Sequence, residues 1–222
     1  GIGAPPDAKA GVMWLGAASG AGHARATFNA AAIFASIAVT AKDRKFAFDW
    51  YEKAALAGSP MGETLTGFCL YKGIGVKKDW KRAVYWLEKA AANGEENAEF
   101  LLGLMHENGE GRKADLAKAL EWYRRSAAKG IPNAQFRIGL MYGKGLLKGG
   151  GVPESVVWLR KAAEQGLPDA QYNLGLMSYY GRGVTVDFSE AYCWLTLSAE
   201  SGSTDAESLL GGHGEHADLA LG

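Results

Sequence analysis

Trp14, Trp50, Trp86, Trp122, Trp158 and Trp194 stand 36 residues apart and make up six of the chain's seven tryptophans. Glycine keeps the same step at Gly22, Gly58, Gly94, Gly130, Gly166 and Gly202, and again at Gly67, Gly103, Gly139, Gly175 and Gly211. A further glycine register runs Gly73, Gly109, Gly145, Gly181. Registers locked in phase over 222 residues are the signature of a repeat architecture, in which each unit is a supersecondary element that buries its apolar face only against its neighbours.

The unit from Glu96 to Gly130 shows what is repeated. Ala98, Leu101, Leu102 and Met105 have helical spacing and predict a helix over Asn97 to Asn108. Gly109 to Gly111 breaks it, and Asp115 is placed to cap a second helix reaching about Lys129. Gly130 suits a left-handed C-terminal cap, and Pro132, like Pro60 and Pro168, suits the first turn of the following helix. Asp43, Asp79 and Asp187 are expected to repeat the N-cap, the last with Glu190 completing a capping box. Glycine inside the first helix costs about 1 kcal/mol of helix propensity. Close approach to the second helix, over the small Ala127 and Ala128, is the expected return, with Trp122 filling the space between units.

These residues resemble the Sel1-like repeat family, a relative of the tetratricopeptide repeat. Leu102-Gly103, Gly109 and Gly111, Asp115, Ala119, Trp122-Tyr123, Ala127-Ala128 and Gly130 carry the likeness. Leu174 to Met177, Gly181 to Val184, Asp187, Ala191 and Trp194 repeat it. The resemblance covers about residues 43 to 210 and implies an all-α solenoid of about five helix pairs with partial terminal units, wound into a right-handed superhelix. The first helix of each pair would line its concave face. Domain organisation follows: one solenoid over residues 1–210 and a glycine-rich tail over 211–222 that is expected to fray. The first unit is degenerate, with Ala31 and Ile37 at glycine positions, and residues 7–21 supply only a second helix. In the fourth unit Leu147 and Gly151 replace a loop glycine and the capping aspartate, so the Lys148 to Gly151 loop is expected to be locally mobile.

Composition narrows the partners. Lysine plus arginine (24) balance aspartate plus glutamate (24), which removes the electrostatic drive toward nucleic acid or an anionic membrane. The longest weakly polar stretch, Ala30 to Ala41, falls short of the roughly 20 residues that span a bilayer. No charged segment followed by an apolar run opens the chain, so no signal peptide is expected; Gly1 is not an initiator methionine, which leaves an earlier leader open. The resemblance points slightly toward a periplasmic or secreted setting and leaves the cytoplasm open.

Catalytic chemistry finds no footing. The Gly-x-Gly loops at Gly73, Gly109 and Gly181 join helix to helix and lack the third glycine of a dinucleotide loop, so they read as tight turns. His23, His106, His213 and His216 have no HExxH spacing, and His106 occupies a position where the family usually has tyrosine, which makes it a packing variant. No serine or cysteine sits in a nucleophile signature. Carboxylates such as Glu95 and Glu96 are assigned to solvent faces. Neither metal nor cofactor is expected. Cys69 and Cys193 lie 124 residues apart, and with packed helices ~8–10 Å from one another that puts them beyond disulfide reach. Both are expected to be inert core or half-buried thiols.

Binding remains. Phe100, Phe136 and Tyr172 share a phase with Thr64, and Phe68 shares one with Leu104. Tyr71 and Tyr179 come one turn later, beside Lys72 and Lys144, while Asn97, Asn133 and Asp169 stand at the helix starts. An aromatic stripe rimmed by Asn, Lys and Asp suits another protein or a peptide anchored by apolar side chains. Periodic aromatics are more often core than site, so packing between helices is the competing reading. Three functional readings stay open: a bacterial interaction or signalling scaffold, an immunity protein neutralising a secreted effector such as a lipase, and a small-ligand binder or enzyme using the groove.

Overall fold

The computed structural model describes residues 40–212, and among them there are ten helices and no strand. They are α1 (Ala41–Leu56), α2 (Pro60–Lys72), α3 (Trp80–Ala92), α4 (Glu96–Asn108) and α5 (Leu116–Ala128), followed by α6 (Pro132–Gly143), α7 (Gly151–Glu164), α8 (Pro168–Tyr180), α9 (Phe188–Glu200) and α10 (Thr204–Gly212). Four complete pairs, α2–α3, α4–α5, α6–α7 and α8–α9, lie between a lone second helix and a lone first helix. The fold is an all-α solenoid. Cα packing divides the chain into two compact units, Gly1–Trp122 and Tyr123–Gly222. The degenerate positions Ala31 and Ile37 of the first unit, residues 7–21 and the tail beyond Gly212 lie outside the described residues.

Sequence chemistry accounts for the helix ends. Pro60, Pro132 and Pro168 open first helices, where the missing N–H has no partner to lose. Asp79, Asp115 and Asp187 cap second helices, accepting from the backbone N–H of Arg82 (3.0 Å), Lys118 (3.0 Å) and Glu190 (2.8 Å). Each aspartate also donates its own N–H across the hairpin, to the carbonyls of Leu70, His106 and Ser178, which pins the loop closed. Asp43 departs from expectation. Thr40 is the N-cap of α1, and Asp43 supplies the reciprocal bond of a capping box. Glu190 makes no such return bond; its carboxylate turns instead to Ser178, Trp194 and Arg160. At α7, where the aspartate is missing, the cap is Gly150 with no side-chain bond, and Gly149, Gly150 and Gly151 all take positive φ.

First and second helices bury different shares of their surface because they have different numbers of neighbours. In unit 1, α2 packs against α1, α3 and α4, and its burial from Gly62 to Tyr71 is almost continuous. The second helix α3 buries one stripe, Ala83, Trp86, Leu87, Ala90 and Ala91, with the spacing of an amphipathic helix. In unit 2, α8 packs against α7 and α9 in the same way.

The helix glycines do permit close approach, but the partner differs from the one expected. A Cβ on Gly67 would stand 2.6 Å from Leu87 Cγ, and one on Gly139 would stand 2.9 Å from Leu159 Cγ. The branched residue just after each tryptophan fills that space. The alanine pair serves another contact: Ala54 and Ala55 lie under Gly62, at the start of the following first helix. Loop glycines act at the junction between repeats. Gly75 has left-handed backbone at φ +70, and a Cβ on it would stand 2.1 Å from the Arg44 carbonyl oxygen of α1.

The tryptophans are less enclosed than a space-filling role implied. Trp86 is buried, whereas Trp50, Trp122, Trp158 and Trp194 are half-buried. Three of the rings carry a cation one turn on, with Lys53, Lys89 and Lys161 lying 4.5, 5.3 and 4.6 Å from the ring centroids of Trp50, Trp86 and Trp158.

Candidate interaction surface

In unit 1 the first helices α2 and α4 are direct neighbours. Phe68 on α2 and Phe100 on α4 are half-buried, and Phe68 packs its inner edge on the core that contains Leu70, Leu87 and Leu102. Asn97 is exposed at the start of α4. Lys72 is exposed at the end of α2, with its ammonium 4.5 Å from the Tyr71 ring centroid. Tyr71 itself is buried, and so is Thr64, in phase with Phe100. The stripe in this unit is therefore Phe68 and Phe100, without Tyr71.

Unit 2 carries the equivalent positions on α6 and α8. Phe136 and Tyr172 are half-buried, and Asn133, Lys144 and Asp169 are exposed. Phe136 packs on the cluster formed by Val156, Ala170 and Leu174, so one of its faces is core and the other is surface. Tyr179 belongs elsewhere. Its ring meets Tyr180 edge-on at 4.9 Å and Phe188 at 5.4 Å, which makes it part of an aromatic cluster linking α8 to the second helix α9.

One periodic series escaped the sequence reading. Glu63, Glu99, Gln135 and Gln171, each directly before a member of the Phe100 series, are buried, so the carboxylates are not confined to solvent faces. Gln135 and Gln171 donate from Nε2 to the carbonyls of Ala127 (3.4 Å) and Ala163 (3.2 Å), in the last turn of the preceding second helix. They satisfy carbonyls that a helix end leaves open. Glu63 cannot donate, and takes the Lys89 ammonium at 2.7 Å and Asn93 Nδ2 at 3.4 Å instead. The signal was available: the 36-residue step that exposed the aromatics also exposes a polar residue held one position earlier.

Two further polar nodes have clear geometry. His106 is buried, as a packing variant would be, and its Nε2 lies 2.9 Å from Arg112, which also pairs with Glu88 at 3.1 Å. Burial, reinforced by the Arg112 charge, pushes the imidazole below its ordinary value. An open cleft of about 410 Å³ lies beside it, lined by Gly111, Arg112, Lys113, Asp115 and Lys118. At Glu190, burial works to raise the carboxyl, yet hydrogen bonds from Arg160 (2.7 Å), Ser178 (2.9 Å) and Trp194 (3.4 Å) together hold it below the usual range. Both nodes tie neighbouring elements together. No group of three or more His, Cys, Asp or Glu is placed to hold a metal among the described residues, and none of their helices is long and apolar enough to cross a membrane. His23, His213 and His216 lie outside the described residues. Cys69 is a buried free thiol whose burial raises its pKa to about 11. Cys193 is free and exposed, contrary to the core or half-buried position expected; it stands at the repeat position of Tyr85 and Val157, which are exposed as well.

The Sel1 repeat profile matches residues 1–23, 26–59, 60–95, 97–131, 132–167 and 168–203. A Sel1 repeat protein from Oxalobacter formigenes is 34% identical, with a TM-score of 0.76 over 90% of this chain and 57% of that one. A protective antigen of uropathogenic Escherichia coli with the same repeat fold is 31% identical, with a TM-score of 0.78 over 94% of this chain and 44% of that one. The chain thus spans about half the length of these two relatives. An immunity protein from Pseudomonas aeruginosa shares the fold at 20% identity, with a TM-score of 0.59 over 82% of this chain and 67% of that one. No curated protein sequence matches the chain.

Proposed function

Because this chain belongs to the Sel1 repeat family, we propose that it is a non-enzymatic scaffold of bacterial origin that binds a partner protein or peptide along its first helices. The observation that carries this reading is the half-burial of Phe68, Phe100, Phe136 and Tyr172 at one repeat position or its neighbour. Phe68 and Phe136 are braced by the core on one side, and all four rings remain partly open to solvent. Rigid, half-exposed aromatics next to exposed polar side chains are the composition of a binding hot spot, because an anchor already held in place loses little entropy on association. Asn97, Asn133, Asp169, Lys72 and Lys144 would form the rim. Tyr179 joins the surface only at its margin, through the Tyr180 and Phe188 cluster.

Capture from a bacterial host, using the wild-type chain and a Phe100→Ala/Phe136→Ala variant side by side, tests the proposal. The expected result is a partner retained by the first and lost by the second while both stay folded. Equal retention by both would refute the assignment of the surface.

An immunity role is the narrower form of this reading. It is supported by fold likeness to an immunity protein, which is a likeness of scaffold and names no effector. Capture of a secreted lipase or similar effector, with loss of its activity on mixing, would favour immunity. Capture of a membrane sensor or signalling protein would favour the broader scaffold role.

A further inference from the structure

We propose that His106 is an acid-released latch that holds the α4–α5 loop against the preceding second helix, α3. The loop, residues 109–115, meets α3 at two points. Gly111 lies over the first turn of α3, where a Cβ on it would stand 2.8 Å from Trp80 Cβ. Arg112 pairs with Glu88 of α3 at 3.1 Å. The same guanidinium ties the loop to its own repeat, through Nε2 of His106 on α4 at 2.9 Å. A guanidinium has donors and no acceptor, so Nε2 must present its lone pair and the ring must carry its proton on Nδ1. Nδ1 is enclosed without a hydrogen-bond partner among the described residues. The bond to Arg112 therefore exists only while the imidazole is neutral.

Two other loops are anchored by apolar contact. The positions 36 residues before His106 and Arg112 are Leu70 and Val76. Leu70 is fully buried, and Val76 packs on the core to which Leu70 belongs. Val184, the equivalent of Arg112 in the α8–α9 loop, packs on the core that holds Val156 and Leu174. An apolar anchor of this kind is indifferent to pH. The His106–Arg112 pair is not, and His106 is the only histidine among the described residues.

A second proton on the ring, at Nε2, would set one N–H against another and a positive imidazole beside a positive guanidinium. Burial is the largest influence against the charged ring, followed by Arg112 in the loop and Lys118 in the first turn of α5. Asp115 in the loop and Glu88 on α3 act the other way without overcoming them, and the imidazole stays below its ordinary 6.5. Lys113 lines the same open cleft. The protonated ring is better accommodated with the loop released, where Arg112 has moved away and water reaches both nitrogens. The sign follows from the lower value in the closed state. The loop is held fully above about pH 6.5, and the hold weakens as pH falls from there through the depressed value. Each pH unit within that window multiplies the open population by at most ~10.

Hydrogen exchange followed residue by residue by NMR reads the opening. The Asp115 N–H donates to the His106 carbonyl at 2.9 Å, and the Asp79 N–H makes the equivalent bond to Leu70 at 3.0 Å, so Asp79 serves as the internal reference. Between about pH 7.5 and about pH 5, Asp115 should lose protection at least ~3-fold relative to Asp79 in the wild-type chain. His106→Leu/Arg112→Val, which rebuilds the Leu70 and Val76 anchor, should hold that ratio constant. The ring-nitrogen shifts of wild-type His106 at neutral pH should show a protonated Nδ1 and a bare Nε2. A proton on Nε2 at neutral pH would overturn the proposal, and that measurement needs no variant to fold. Parallel loss of protection at Asp115 and Asp79 would overturn it as well, because the chain would then be loosening as a whole. So would a pH-dependent difference that persists in the double variant, since another group would be the trigger.

Discussion

Two glycine-to-alanine substitutions in unit 1 separate backbone strain from junction packing. Gly58 and Gly75 both hold left-handed backbone, at φ +84 and φ +70. Any L-residue with a Cβ costs about 1–2 kcal/mol there, of which about 0.4–1 kcal/mol is recovered from the stiffer unfolded chain. At Gly58 nothing lies within 4 Å of the added carbon, so Gly58→Ala should destabilise by about 1 kcal/mol. At Gly75 the carbon would stand 2.1 Å from the Arg44 carbonyl oxygen and 2.8 Å from the Lys45 nitrogen. Those are backbone atoms of α1, which no rotamer change can move aside. Overpacking adds about 1–3 kcal/mol, and Gly75→Ala should cost about 3 kcal/mol in all. Urea denaturation followed by far-UV circular dichroism is the assay. In a repeat protein stability is a sum of unit terms and nearest-neighbour terms, and this substitution strikes a neighbour term. It should therefore also split off an early transition as α1 detaches. Equal losses for the two variants, within ~0.5 kcal/mol, would refute the claim that the loop glycine exists for the junction.

Three other outcomes test separate parts of the argument. Lys89→Met should lower the melting temperature by stranding the buried Glu63 carboxylate, and adding Glu63→Gln should recover most of the loss; no recovery would mean that the pair is not what Lys89 contributes. His106 has a folded pKa below its ordinary 6.5, so its contribution is complete above about that pH and is lost as pH falls from there through the depressed value. Stability should decline over that window in the wild type and less in His106→Tyr, and parallel profiles would count against the imidazole. Phe136→Ala should cost about 1–2 kcal/mol of folding free energy, since only one face of the ring is core, while weakening a captured partner at least ~10-fold. A larger folding loss with unchanged affinity would make Phe136 a core residue and nothing more.

Periodicity alone determined the helix pairs, their turns and their order. A tryptophan, an alanine pair and glycines in fixed phase, with Asp79, Asp115 and Asp187 as caps, are local instructions, and a helix hairpin is a local structure. The same phase placed the half-buried aromatics on successive first helices. What it could not give was how many neighbours each position meets. Tyr71 and Tyr179 occupy the same repeat position, yet Tyr71 is buried in a three-helix contact and Tyr179 stacks on Tyr180 and Phe188. Glu63 looks like a surface carboxylate in the chain and is enclosed in the fold, because α2 is covered by α1, α3 and α4 together. Cys193 is a small apolar residue expected in or near the core and is exposed, because its repeat position faces outward from the second helix, as Tyr85 and Val157 do. Burial is a property of the neighbours that a residue acquires in tertiary packing. The repeat fixes each residue's direction, and the stacking of repeats decides whether anything is there to meet it.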